Sequence, residues 1–202
     1  FPHAYANTAV SLAAMEWALK GPHENAVTRA TASGVALIEA FDLLRAGRTK
    51  VIAVCGADAL SGVALNVRAA AGVPAPMGEA AAALVLEHAD TAEARGARPL
   101  GQLLGCGLAP TADEALQTAL TQAGQTPDTL HTVYVNTAAR DTAVRLLPGL
   151  SIKEPALLCG DVQGATSALH LVLALLARPT KPVLVLTAEP GACVALIASC
   201  AA

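Results

Sequence analysis

Aromatic side chains are scarce in this sequence: Phe, Trp and Tyr together make up 2% of 202 residues. The core must therefore be built from Ala, Val and Leu, and side chains this small let layers of helix and sheet approach closely. Charge is scarce too, at 14%, against about 25% in an ordinary soluble domain. Set beside 54% hydrophobic residues, that shortage points to a large face buried against a partner. No basic run occurs and the net charge is −3, which argues against nucleic acid, because phosphate binding needs clustered cations. No run is apolar for long enough to cross a bilayer; the longest, ATSALHLVLALLA at 165–177, reads as a buried helix, so no membrane insertion is expected. The five cysteines, at 55, 106, 159, 193 and 200, are odd in number and lack CxxC spacing. That argues against a disulfide framework or a zinc site and fits a reducing cytoplasm, with no metal or cofactor expected. The start, FPHAYANTAV, has no basic region of the signal-peptide kind and no initiator Met, and reads as a processed end or a fragment.

What is present is an alternation of helix and strand patterns. Residues 7–21 read as a helix with Val10, Ala14, Trp17 and Ala18 on one face, stopped by Gly21-Pro22. NAVTRA (25–30) reads as a short strand. Ser33 is placed to cap a helix over 34–47. KVIAVCGA (50–57) is a continuous apolar run of the kind buried on both faces, and residues 80–89 read as another strand, with a proline-containing loop at 72–79 between them. In the second half, 98–109 is strand-like with glycine interruptions. Residues 111–124 read as a helix with a Thr N-cap, two acids in its first turn and a Gly stop. Residues 132–136 form a β-branched strand, 154–160 a short apolar run, and 164–177 a helix. Residues 182–188 and 192–199 form a hairpin around Glu189-Pro190-Gly191. The pattern implies an α/β layered fold of two similar halves, 1–97 and 98–202, without a linker, as one compact unit.

These segments, in this order, resemble the β-ketoacyl synthases of the thiolase superfamily. NTAVSLAAMEWALKGP resembles the helix and stop before the nucleophile strand. VTRATASGVALIEAFDLLRAGRTKVIAVCGADAL resembles the nucleophile elbow, its helix and the strand that follows. PMGEAAAALVLE resembles the Met-Gly-Glu loop and strand, with Glu79 as a structural hydrogen-bonding residue of that loop. VYVNTAARDT and LLCGDVQGATSALHLVLALLA lie where the family carries its two histidine loops, and TAEPGACVALI resembles its glycine-rich turn. The resemblance implies a thiolase-like αβαβα fold whose first half is truncated, the family's first strand–helix–strand portion having no counterpart here.

The resemblance also marks what is replaced. The family's nucleophilic cysteine falls at Thr31, its two catalytic histidines at Ala138 and Asp161, its accompanying lysine at Ala156, and the phenylalanine of its gate at Glu189. A condensing enzyme needs a thiolate at a helix N-terminus to accept an acyl chain, and imidazoles to stabilise an enolate. Threonine is a poor nucleophile without a base, alanine donates nothing, and an aspartate opposes a developing enolate. Thr31 reads as a structural turn residue and Asp161 as a turn or N-cap residue. Cys159 and Cys193 read as buried, inert thiols, and His170 as a core or interface histidine. His3, His23, His88 and His131 have no metal spacing.

By the resemblance, residues 25–29 (Asn25, Ala26, Val27, Thr28, Arg29) pair with a twin strand across a dimer axis, and Glu189, Pro190 and Gly191 form a gate-like turn. The implied function is that of a non-catalytic chain-length factor, or ketosynthase-β subunit. It would pair with an active β-ketoacyl synthase and shape the acyl tunnel of a type II polyketide, polyene or fatty-acid-like system, with an acyl carrier protein serving the complex. The alternatives are a diverged but active thiolase-fold acyltransferase or decarboxylase, using Asp161 or a cysteine, and a scaffold without a tunnel role.

Overall fold

Every residue from Val183 to Thr187 is buried, and the strand they form explains an apolar run without alternation. Val183 and Val185 enter one core cluster while Leu184 and Leu186 enter another on the opposite face. In the computed structural model, which describes residues 5–72 and 76–201, this strand is the centre of a five-stranded mixed sheet. The order across the sheet is β3 (Gly101–Ala109), β7 (Ala192–Cys200), β6 (Val183–Glu189), β4 (Thr132–Val135) and β5 (Ser151–Lys153). β4 runs parallel to both β5 and β6, whereas β6 and β7 form the expected antiparallel hairpin and β7 pairs antiparallel with β3.

Helices cover both faces of this sheet. On one side lie α5 (Ala112–Ala123) and α6 (Arg140–Leu146), packed through Ala115, Leu116, Ala119, Leu120 and Ala143. On the other side lie α2 (Ala32–Arg45) and α8 (Thr166–Leu176), through Leu37, Ala40, Ala168, Leu171 and Ala174. These two helices are covered in turn by an antiparallel pair, β1 (Val51–Asp58) and β2 (Ala80–Glu87), from which Val54, Ala82 and Leu84 face inward. The result is an α/β stack in which a helical layer sits between two sheets, as the alternating pattern predicts. Burial of each Leu in such a layer contributes on the order of 2 kcal/mol.

The scarcity of bulky side chains is used where layers meet. A Cβ at Gly105 or Gly107 of β3 would collide with the backbone of α5 at Ala119 and Ala115. The glycine interruptions in β3 therefore let α5 lie directly on the strand, which its alanines also permit. α5 is bounded as its sequence dictates: the Thr111 hydroxyl accepts from the Glu114 amide, and Gly124 ends the helix in the left-handed region at φ 61.

In the single chain, residues 25–30 are largely exposed coil, with no strand beside them among the described residues to hydrogen-bond their backbone. Several expectations are corrected. The first helix, α1 (Thr8–Glu16), ends before Trp17, and none of its residues is buried; Trp17 is 69% exposed. α2 begins at Ala32, so Ser33 lies inside it, and its hydroxyl accepts instead from the Ala168 amide of α8. The apolar run 154–160 folds into a single turn, α7 (Ala156–Cys159), that leaves Leu157 and Leu158 in the open. Two short helices, α3 (Gly62–Ala70) and α4 (Ala89–Ala94), and the strand β5 were not expected. His3 lies outside the described residues, as does the middle of the 72–79 loop.

Candidate functional site

β6 ends at Glu189, next to the start of α2, and this places the gate-like turn against the elbow. Thr31 stands at the N-cap of α2 and is completely buried. Its hydroxyl does not cap the helix. It donates to Glu189 Oε1 at 2.7 Å and lies 3.1 Å from the Thr28 hydroxyl. With its one proton committed to Glu189, Thr31 is the acceptor from Thr28. The hydroxyl is held between a carboxylate, which accepts its proton, and a second hydroxyl, and no imidazole is bonded to it among the described residues. The other carboxylate oxygen, Glu189 Oε2, is buried and has no hydrogen-bond partner among the described residues.

The remaining positions marked by the sequence converge nearby. Ala138, Ala156, Asp161 and Glu189 all line one cavity of about 320 Å³, together with Arg29, Ala30, Arg68 and His170. Ala138 belongs to a single helical turn that follows β4. The side chain of Asn136 fixes this turn to the end of β6: it donates to the Ala188 carbonyl and accepts from the amides of Ala188 and Ala139. Asp161 lies in the turn between α7 and α8. It accepts from the Gln163 amide and side chain and forms an ion pair with Arg68 of α3 at 2.9 Å. It is thus a turn residue, as expected, and its backbone bridges to Met77 beside the Met-Gly-Glu loop. Glu79 accepts from the Leu60 amide at 3.2 Å, so it ties its loop to the one after β1.

His170 proves to be part of the cavity wall. It is 1% exposed, burial pushes its pKa down to about 4, and its Nδ1 has no hydrogen-bond partner among the described residues. The ring is therefore neutral at pH 7. The thiols offer no substitute nucleophile in the cavity, since no cysteine lines it. Cys193 is buried, with burial and then Glu189 raising its pKa; Cys106 is pushed up to about 12 by burial and Asp42. Cys159, expected to be buried, is exposed at the end of α7. His88 hydrogen-bonds the Leu44 carbonyl, His131 meets the Thr132 hydroxyl, and His23 is exposed. No cluster of His, Cys, Asp or Glu suited to a metal occurs among the described residues.

Sequence reasoning placed Thr31, Ala138, Ala156, Asp161 and Glu189, and the fold brings the last four onto one cavity with Thr31 just behind. It missed Arg68, Asn136 and Gln163, which hold the site together. Asn136 at a strand end carried a weak signal; Arg68, on a helix that the sequence reading did not mark, carried none. Residues 25–29 lie apart from the cavity except for Arg29. Val27 is 68% exposed, and Asn25 reaches back to the Ala6 carbonyl. A second cleft, of about 360 Å³, separates this segment from α1.

No family model matches this sequence, and no curated protein matches it. Solved structures match its fold. A β-ketoacyl synthase from Burkholderia phymatum STM815 aligns with a TM-score of 0.84 at 22% identity, covering 98% of this chain and 66% of that one. The ishigamide ketosynthase/chain length factor aligns at 0.86 and 22% identity, over 98% of this chain and 66% of that one. The ketosynthase ApeO in complex with its chain length factor ApeC, from Xenorhabdus doucetiae, aligns at 0.83 and 17% identity, over 100% of this chain and 66% of that one. This chain thus spans 66% of the length of each of these structures. It has the thiolase-like fold of the ketosynthases, with Thr31, Ala138 and Asp161 gathered where the sequence resemblance puts a cysteine and two histidines.

Proposed function

We propose that this chain is a non-catalytic ketosynthase-like subunit of the chain-length-factor kind. It pairs with an active β-ketoacyl synthase in the cytoplasm and contributes to the wall of the acyl tunnel in a type II polyketide, polyene or fatty-acid-like system, with an acyl carrier protein serving the complex. Residues 1–97 and 98–202 are then the two halves of one unit. The observation that carries this reading is the state of Thr31: its hydroxyl is engaged by Glu189 and Thr28, and the adjacent cavity offers Ala138 and Asp161 in place of imidazoles. The one histidine on that wall, His170, is neutral and buried. Such a site supplies no thiolate at position 31 and no imidazole donor at positions 138 and 161 for an enolate oxygen.

Exposure supports the pairing. Val27 projects from a coil segment with no strand partner among the described residues, and it has company in the open residues Met15 and Trp17 of the neighbouring α1 region. In this reading residues 25–29 become a strand only when the partner supplies its own.

The purified chain, incubated with acyl- and malonyl-loaded carrier protein, is expected to show neither acyl transfer nor decarboxylation. Either activity in the chain alone replaces this reading with that of a diverged acyltransferase or decarboxylase. Co-expression with a ketosynthase is expected to yield a heterodimer. A chain that stays monomeric and binds no ketosynthase removes the subunit reading.

A further inference from the structure

The cavity stops one side chain short of Thr31. Ala30 and Glu189 both line it, but Thr31, bonded to Glu189, does not and is fully buried. Glu189 both lines the cavity and bonds Thr31. It reaches across from the end of β6 to the N-terminus of α2, residues 158 apart in sequence, and fills the gap with a carboxylate.

This carboxylate is unusual in its surroundings. One oxygen accepts from Thr31, while the other is buried without a hydrogen-bond partner among the described residues. A half-satisfied acceptor in such a place costs stability. Helix N-termini favour a negative charge, which offsets part of that cost. The arrangement has the character of an internal anion at the start of α2, beside a cavity that Ala30 and Ala188 also line.

We infer that Glu189 is a plug: its side chain sets the depth of the cavity and closes it off from the N-terminus of α2. Shortening the side chain joins the cavity to the space in front of Thr31, whereas neutralising it at constant size does not. The plug is intrinsic to this chain and does not depend on pairing with a ketosynthase. A chain with no partner shows it equally, so its failure and the failure of the subunit reading are separate results.

The test uses accessibility at position 31. A thiol is introduced by Thr31→Cys in the full chain, alone and combined with Glu189→Ala or Glu189→Gln. Alkylation by iodoacetamide is followed site by site by mass spectrometry, with the exposed Cys159 as the internal standard. With Glu189 or Gln present, the thiol at 31 is expected to react at least about tenfold more slowly than Cys159, since access is limited by local opening. With Glu189→Ala it should accelerate by about tenfold or more, while Cys159 is unchanged. A thiol at 31 that matches Cys159 with Glu189 intact overturns the inference. So does a thiol that stays protected after Glu189→Ala in a folded protein, which would mean something else seals the site. If Gln frees the thiol as fully as Ala, charge and not bulk controls it, and the plug is again refuted. Where Glu189→Ala does not fold, shown by alkylation of the buried Cys106, Glu189→Ser takes its place under the same expectations.

Discussion

Arg68 Nη1 lies 2.9 Å from Asp161 Oδ2, joining α3 to the turn that leads into α8. The two side chains are 17% and 30% exposed, so the pair is partly shielded from water and salt. Asp161 also accepts from the Gln163 amide, which fixes the turn itself. The aspartate at a position the sequence resemblance assigns to histidine is thus accounted for by structure.

Asp161→Ala should therefore destabilise the chain by about 1–2 kcal/mol, with Asp161→Asn losing less because it keeps an acceptor for the turn. Thermal melts should show a drop of roughly 2–6 °C for the alanine variant, and high salt should narrow the gap between wild type and Asp161→Asn.

His170 makes stability depend on acidity. Folded, it resists protonation until about pH 4, whereas unfolded it takes a proton near 6.5. The unfolded state therefore binds more protons between these values, and stability falls as pH falls through that window, by about 3 kcal/mol at its acid end. Denaturant titrations of wild type and His170→Leu across pH 7 to 4 should show the difference between them shifting by that amount in favour of Leu. A constant difference would mean the ring is not held neutral by the fold.

Asn136→Ala removes three hydrogen bonds at the joint between the Ala138 turn and the end of β6. The expected cost is about 2–3 kcal/mol, because the amide and carbonyl of Ala188 are left without partners in a half-buried place. Chemical denaturation measures it, and hydrogen exchange at the Ala188 amide should rise with it, while the Ala139 amide keeps its bond to the Asn136 backbone carbonyl.

Val27→Glu separates fold from partnership. At 68% exposure the side chain contributes little within the chain, so the melting temperature should change by no more than about 2 °C. Co-purification with a ketosynthase partner should be lost, since a charge then has to be desolvated where an apolar side chain would be buried. An intact complex with this variant places the interface elsewhere.

The sequence by itself determined the elements whose signals are local. The sequence marked β6 and β7 as a hairpin, and Thr111 and Gly124 bounded α5 through hydrogen bonds and dihedrals made within a few residues, whereas the apolar run of β1, expected to be buried on both faces, alternates between buried and exposed residues. The order of the motifs identified the fold class and pointed to Thr31, Ala138 and Asp161 as the altered positions. It did not hold the contacts that give those positions their meaning. The bond from Thr31 to Glu189 and the pair of Arg68 with Asp161 join segments far apart in the chain, and only the packing of α2, α3 and α8 against the sheets sets their distances. The same reason applies to residues 25–30. Residues 25–30 carry a strand pattern, but a strand needs a neighbour for its backbone groups, and whether one exists is decided by tertiary and quaternary structure and not by the segment itself.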